Sequence, residues 1–176
     1  MKTLFALFGA LSLFRLFRLG SNANAGVFVG QTWTARVVRV VDGDTLWVAV
    51  GDGNVRVRLA HIDAPEVGQP WSAESSAWLE QVIPKKSKVI LKPVELDCYG
   101  RVVADLYTRN WRGAPKAWVN FWLVRNGLAW ALPGGKNKDV AEAQLDAQKT
   151  RIGIWTQSYP TPPWIFRVES VLNGTN

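Results

Sequence analysis

Apolar and polar positions alternate most clearly over residues 46–59. Leu46, Val48 and Val50 recur at every second position, as do Val55, Val57 and Leu59, with Gly51-Asp52-Gly53-Asn54 between the two runs. This period predicts two strands, and the glycine-rich stretch supplies the positive φ that a tight hairpin needs. Trp47 and Ala49 make the other face of the first strand apolar too, whereas Arg56 and Arg58 share one face of the second. Upstream, residues 32–41 read as a strand rich in valine, interrupted by the turn signal Asp42-Gly43. Pro65 stops the run after Arg58, because it has no N–H to give a ladder.

Beyond Pro65 the period changes. Ser72 is a plausible N-cap for a short helix to residue 83, with Trp78, Leu79, Val82 and Ile83 as its core stripe. Residues 88–96 and 101–107 read as fourth and fifth strands around the turn Asp97-Cys98-Tyr99-Gly100, and Trp111-Arg112-Gly113 as an exposed loop. A helix is expected over residues 117–126, closed by Gly127, and a last one from Asp139, capped with Glu142, to Arg151. Pro160, Pro162 and Pro163 extend a tail that frays at residues 173–176. Five strands, the first three consecutive, with a helix after the third, predict an α+β, mainly β chain. The expected architecture is a five-stranded OB-fold Greek-key barrel with about three flanking helices.

Composition narrows the picture. One folded unit suits 176 residues, and 48% hydrophobic with 20% charged residues describes an ordinary core. The lone Cys98 excludes an intrachain disulfide, and one Cys with one His argues against a zinc cluster or a thiol–histidine pair. A net charge of +7 favours a polyanionic partner; of the ten tryptophans some belong to the core, and exposed ones can serve as stacking platforms for bases. Residues 1–25 stand apart: Lys2 precedes an apolar run over residues 4–14, and Ala23-Asn24-Ala25 fits a cleavage site. The run is shorter than the roughly 20 residues that span a bilayer. An export signal is the favoured reading, with export to periplasm or medium. Arg15 and Arg18 instead suit an uncleaved segment lying on a membrane. Cleavage removes Lys2, Arg15 and Arg18 and no acid, taking the charge from +7 to +4. The expected division is residues 1–25, a domain over 26–160 and a tail over 161–176.

Four acids, Asp42, Asp44, Asp63 and Glu66, together with Arg58, flank the hairpin. A hairpin brings its outer ends together, so Asp44, entering one strand, can lie beside Asp63, leaving the other. Adjacent strands are roughly 4.8 Å apart, close enough for two carboxylates to share one hard cation. Without a cation the pair would repel, so a metal is the simpler reading. Each acid taken singly is equally well explained by the liking of turns for Asp and Gly.

With these residues in hand, the chain resembles the staphylococcal nuclease (thermonuclease) family. The matching pieces are Val41-Asp42-Gly43-Asp44-Thr45; Arg58-Leu59 with Ile62-Asp63-Ala64-Pro65-Glu66; Tyr99-Gly100-Arg101; Val119-Asn120; Leu123-Val124 with Gly127-Leu128-Ala129; and Ile154-Trp155. They occur in family order over residues 33–156. The resemblance implies Ca²⁺-dependent phosphodiester hydrolysis of DNA and/or RNA, largely without sequence specificity, with Mg²⁺ or Mn²⁺ meeting the same oxygen donors. It implies Asp44, Asp63 and the backbone carbonyl of Ala64 as metal ligands, with Asp42 a supporting acid. Glu66 is implied as the general base, Arg58 and Arg101 as the phosphate-gripping arginines, and Tyr99 as a neighbour of the bound nucleotide. Cys98 departs from the lysine of the best-known member, and the family's second nucleotide-contacting tyrosine has no counterpart here. Trp130 is expected in the core, and His61 as a structural residue in a strand. No obligate protein partner is inferred and a monomer is expected. The rival functions are a non-catalytic OB-fold nucleic-acid-binding module and a membrane-surface adaptor.

Overall fold

In the computed structural model, the described residues are 30–174. The predicted leader over residues 1–25 lies outside them. Valine-rich alternation builds β1 (Trp33–Val40), β2 (Thr45–Val50) and β3 (Gly53–Leu59) as an antiparallel meander. β5 (Lys88–Leu96) pairs with β1 and with β6 (Val102–Arg109), after a two-residue strand β4 (Ile62–Asp63) and helix α1 (Ser72–Val82). The sheet closes when β6 runs parallel to β3, with Val57 opposite Val102 and Leu59 opposite Ala104. A closed barrel leaves no bare edge among these five strands, as the OB-fold expectation requires. Inward residues such as Val37, Leu46, Val57, Leu91 and Leu106 are buried, and Leu79 of α1 and Ile83 just past its end join them.

The rest of the chain differs from the expectation in several places. The predicted helix over residues 117–126 splits into β7 (Pro115–Trp118), which extends the sheet from β6, and α2 (Val119–Arg125). Trp118 stays extended because its ring stacks on Tyr107 across that pairing and its indole N–H donates to Asp105. β8 (Trp130–Ala131) pairs with β4, and α3 (Lys138–Thr150) is capped by the Asn137 side chain, which accepts the Val140 N–H, rather than by Asp139. Most different is the tail: residues counted as extended form α4 (Pro163–Leu172), with Pro163 in the first turn, where its missing N–H costs nothing. The described residues thus hold four α-helices rather than three. None is long and apolar enough to cross a membrane.

Two features fix the ends of the barrel near the acids. Asn120 is fully buried in α2; its amide donates to the Ala60 and Ala104 carbonyls at 2.9 and 3.2 Å and accepts the Leu106 N–H at 2.9 Å. It therefore ties the β3–β4 turn to β6. Gly43 lies so close to α1 that a Cβ there would meet the Ser75 Oγ at 2.1 Å and the Ala64 Cβ at 2.7 Å. Only glycine lets the Asp42–Asp44 turn press against the helix. A second cluster, Trp130, Ala147, Ile154 and Trp155, sits under α4, with Trp164 packed against it. Trp130 is core, as expected.

Candidate active site

The site forms where β2 begins, β3 ends and β4 runs. Thr45 is paired with Arg58, and the Leu59 N–H donates to the Asp44 carbonyl at 2.8 Å, so both side chains leave the barrel at one point. Arg58 then bridges the two acids: Nη1 lies 3.2 Å from Asp44 Oδ1 and Nη2 2.7 Å from Asp63 Oδ1. Asp44 is 4% exposed and Asp63 1%. The hairpin geometry read from the sequence thus brings Asp44 and Asp63 to one guanidinium. Asp42 sits outside, its Oδ1 accepting the Asp44 N–H at 3.0 Å, which sets the direction in which Asp44 leaves the turn. Asp44 further accepts the Thr45 hydroxyl at 2.9 Å and the Ala64 N–H at 3.0 Å.

Burial pushes the Asp44 carboxyl up to about 7, with the neighbouring charges of Asp42 and Asp63 adding to the rise against Arg58 and the Ala64 N–H. Arg58 is held above its ordinary value: burial disfavours its charge, but Asp44 and Asp63 outweigh that.

Glu66 stands on the loop after β4, its side chain 37% exposed. Its backbone is fixed by Gln69, whose Oε1 accepts the Glu66 N–H at 2.7 Å while Nε2 donates to the Thr161 carbonyl at 3.1 Å. Arg101 follows the β5–β6 turn, where Asp97 accepts its Nε at 2.6 Å and its backbone N–H at 2.9 Å. Tyr99, 81% exposed on the same turn, has the Arg101 guanidinium 5.4 Å from its ring centre. A pocket of about 520 Å³ is lined by Arg56, Arg58, Glu66, Tyr99, Arg101 and Arg167. His61 departs from the expected strand: it takes a positive φ of 69° in the β3–β4 turn, with Nε2 3.6 Å from Asp105. Cys98 is exposed on the turn beside Tyr99.

Two members of this constellation escaped the sequence reading. Arg167 of α4 donates from Nη2 to Asp63 Oδ2 at 2.7 Å, from Nη1 to Asp63 Oδ1 at 3.3 Å, and from Nη1 to Glu66. These bonds to Asp63, and then to Glu66, hold its guanidinium firmly charged. Gln69 is the other, a buried polar residue in a loop too short to show its role. Pro163 followed by Trp164, Ile165, Phe166 and Val168 was the available sign of a helix start.

Among the described residues no three Asp, Glu, His or Cys side chains converge as a metal cage. Guanidinium groups instead lie between the carboxylates. The donors that surround them, Asp44 and Asp63 with Glu66 nearby, are oxygen-only. That chemistry suits a hard divalent cation in the place where guanidinium groups now meet these oxygens. The residues therefore fit such an ion.

The family described as staphylococcal nuclease homologue matches residues 56–157, from inside β3 to the end of the 3₁₀ turn at Gly153–Thr156. The chain belongs to this family. An Escherichia coli protein named as an uncharacterized endonuclease is 35% identical to it over 133 residues, covering 75% of this chain and 83% of the relative. A micrococcal nuclease of Shigella flexneri is 35% identical over 146 residues, 80% of this chain and 83% of its own. A staphylococcal-like nuclease of Arabidopsis thaliana is 32% identical over 113 residues, 64% of this chain and 33% of the plant protein. The staphylococcal nuclease homologues thus share with this chain the stretch that carries Arg58, Asp63, Glu66 and Arg101.

Proposed function

We propose that this chain, a nuclease by family, hydrolyses phosphodiester bonds of DNA and RNA with the help of one hard divalent cation, Ca²⁺ first among candidates. The observation that carries the reading is Arg58, whose one guanidinium joins two buried acids at the rim of a pocket that Arg101 and Tyr99 also line. Asp44, Asp63 and the Ala64 carbonyl would hold the ion, with Asp42 orienting Asp44 through its N–H. A bound ion would lower the pKa of an attached water and draw charge from the phosphate.

Glu66, partly exposed beside these acids, removes the proton as a water oxygen attacks phosphorus. The new P–O bond forms as the ester P–O bond breaks, and the leaving oxygen departs opposite the attack. Arg58 and Arg101 meet the charge that grows on the phosphoryl oxygens; such contacts each contribute about 3–4 kcal/mol of barrier lowering. Asp97 keeps Arg101 aimed, through the two bonds described above. Tyr99 offers an exposed ring to the adjoining nucleotide. Four arginines and one tyrosine line the pocket beside Glu66, groups that meet phosphates and stack on any base, which favours action without sequence preference. Export is the destination that Lys2, the apolar run and Ala23-Asn24-Ala25 support.

Incubation of purified protein with heat-denatured DNA and with RNA, in Ca²⁺ or in chelator, tests the reaction. Chelator-sensitive cleavage is expected. Intact nucleic acid that stays bound would replace the enzyme with a binding module. N-terminal sequencing of protein recovered from the medium or periplasm tests the leader, with cleavage after Ala25 expected.

A further inference from the structure

Arg167 occupies an unusual position for a residue so late in the chain. Pro163, at the start of α4, is buried, and Trp164 packs edge-on against Trp130 with ring centres 5.8 Å apart. Thr161, just before the helix, is held by Gln69. The helix start is therefore anchored, and one turn later Arg167 reaches over the acids. Asp63 is consequently engaged at both oxygens, by Arg58 at 2.7 Å and by Arg167 at 2.7 Å, and Glu66 shares the same Arg167 group.

A divalent cation against Asp63 would face two guanidinium charges at short range, and like charges in a partly dry site repel strongly. One arginine must give way. Arg58 is 18% exposed at its side chain and sits in the barrel wall, whereas Arg167 is 44% exposed. Turning Arg167 out leaves no charge stranded in the interior. Where it would turn is also visible. Glu66 and Arg167 border both the pocket shared with Arg58 and Arg101 and a second one of about 590 Å³, lined by Val67, Phe166 and Ser170. The Arg167 side chain thus stands at the boundary between two adjoining hollows, one on each side of the acid cluster.

Resting on the cation-dependent reading above, we propose that Arg167 is a substrate-positioning residue with two partners. In the cation-free protein its guanidinium neutralises Asp63 and Glu66; when the ion binds, it turns to a phosphate next to the scissile one. Its fork suits both partners, since carboxylate and phosphate present the same paired oxygens. The exchange keeps the site near charge balance throughout and makes nucleic acid and cation bind together more tightly than either alone.

The role predicts opposite effects of one substitution. Calcium binding to full-length protein without nucleic acid, followed by calorimetry, should be about five- to tenfold tighter in Arg167→Gln, because a competing cation is gone. For cleavage of denatured DNA, the same variant should raise KM by about tenfold and leave kcat nearly unchanged, because a phosphate contact made equally in ground and transition states is lost. Arg167→Lys should fall between. Arg167 is a surface residue, so matching thermal transitions will show that the variants fold. A merely structural arginine would weaken both properties together and overturn the proposal, as would equal calcium affinity in Arg167→Gln or an unchanged KM. Absence of calcium heat in wild type and variant alike would overturn the cation-dependent reading itself, a result distinct from equal heats in both.

Discussion

Asp97 holds Arg101 twice, accepting the guanidinium Nε at 2.6 Å through one oxygen and the backbone N–H at 2.9 Å through the other. Burial alone would raise its carboxyl, but the Arg101 N–H, the Arg101 side chain and the Tyr99 N–H outweigh it and hold it below the usual carboxylate range. A group whose folded value is depressed adds stability above its unfolded value and loses it as pH falls through the folded one. The contribution of Asp97 is thus complete at neutral pH and disappears in acid. Thermal unfolding of wild type and Asp97→Asn should differ near neutrality and converge in acid, once the pH has fallen below the depressed folded value. Because Arg101 loses its aim, Asp97→Asn should also cut turnover, by about tenfold. A pH-independent gap between the two proteins would show that Asp97 acts by shape alone.

Glu66 and Arg101 line the same pocket from different loops, and neither belongs to the buried core. Glu66→Gln and Arg101→Ala should each lower kcat by about 10²–10³-fold. The melting temperature of Glu66→Gln should stay close to wild type, whereas Arg101→Ala also gives up its pair with Asp97 and should melt lower at neutral pH. Single-turnover cleavage rates with excess enzyme would check this, since they isolate chemistry from product release. A loss confined to KM would assign Arg101 to binding only.

Asn120 carries a structural prediction. Replacing it with Leu removes three hydrogen bonds inside the core and strands the Ala60 carbonyl and the Leu106 N–H. The cost should be about 2–4 kcal/mol in urea unfolding. Asp63 lies three residues beyond Ala60, so calcium affinity should fall in parallel. A cost under about 1 kcal/mol would mean that the β3–β4 turn is held chiefly by its other bonds.

The parts of the site that the sequence made legible are those built by local rules. Alternation from Leu46 to Leu59 with a Gly-Asp-Gly-Asn turn between is enough to bring Asp44, Arg58 and Asp63 together. The Asp97–Gly100 turn placed Arg101 for the same reason. What was hidden depends on distant partners. Residues 160–163 hold three prolines and read as extended, yet α4 forms because Trp164 finds Trp130 and Trp155 to cover. Arg167, which touches the central acids, therefore carried no local mark. β4 and β8 are two residues each and exist only as a pair, so neither has a period to read. The start of α3 went to Asn137 rather than Asp139 because either side chain can cap and only the fold decides.

The parallel seam between β3 and β6 has a temporal consequence. Closing the stretch between Val57 and Val102 is unfavourable until neighbouring contacts reward it, which favours the flanking hairpins forming first. Arg58 lies on that seam, opposite Val103. A chain emerging from the ribosome therefore cannot complete the wall that carries Arg58 until β6, which ends at Arg109, has been made.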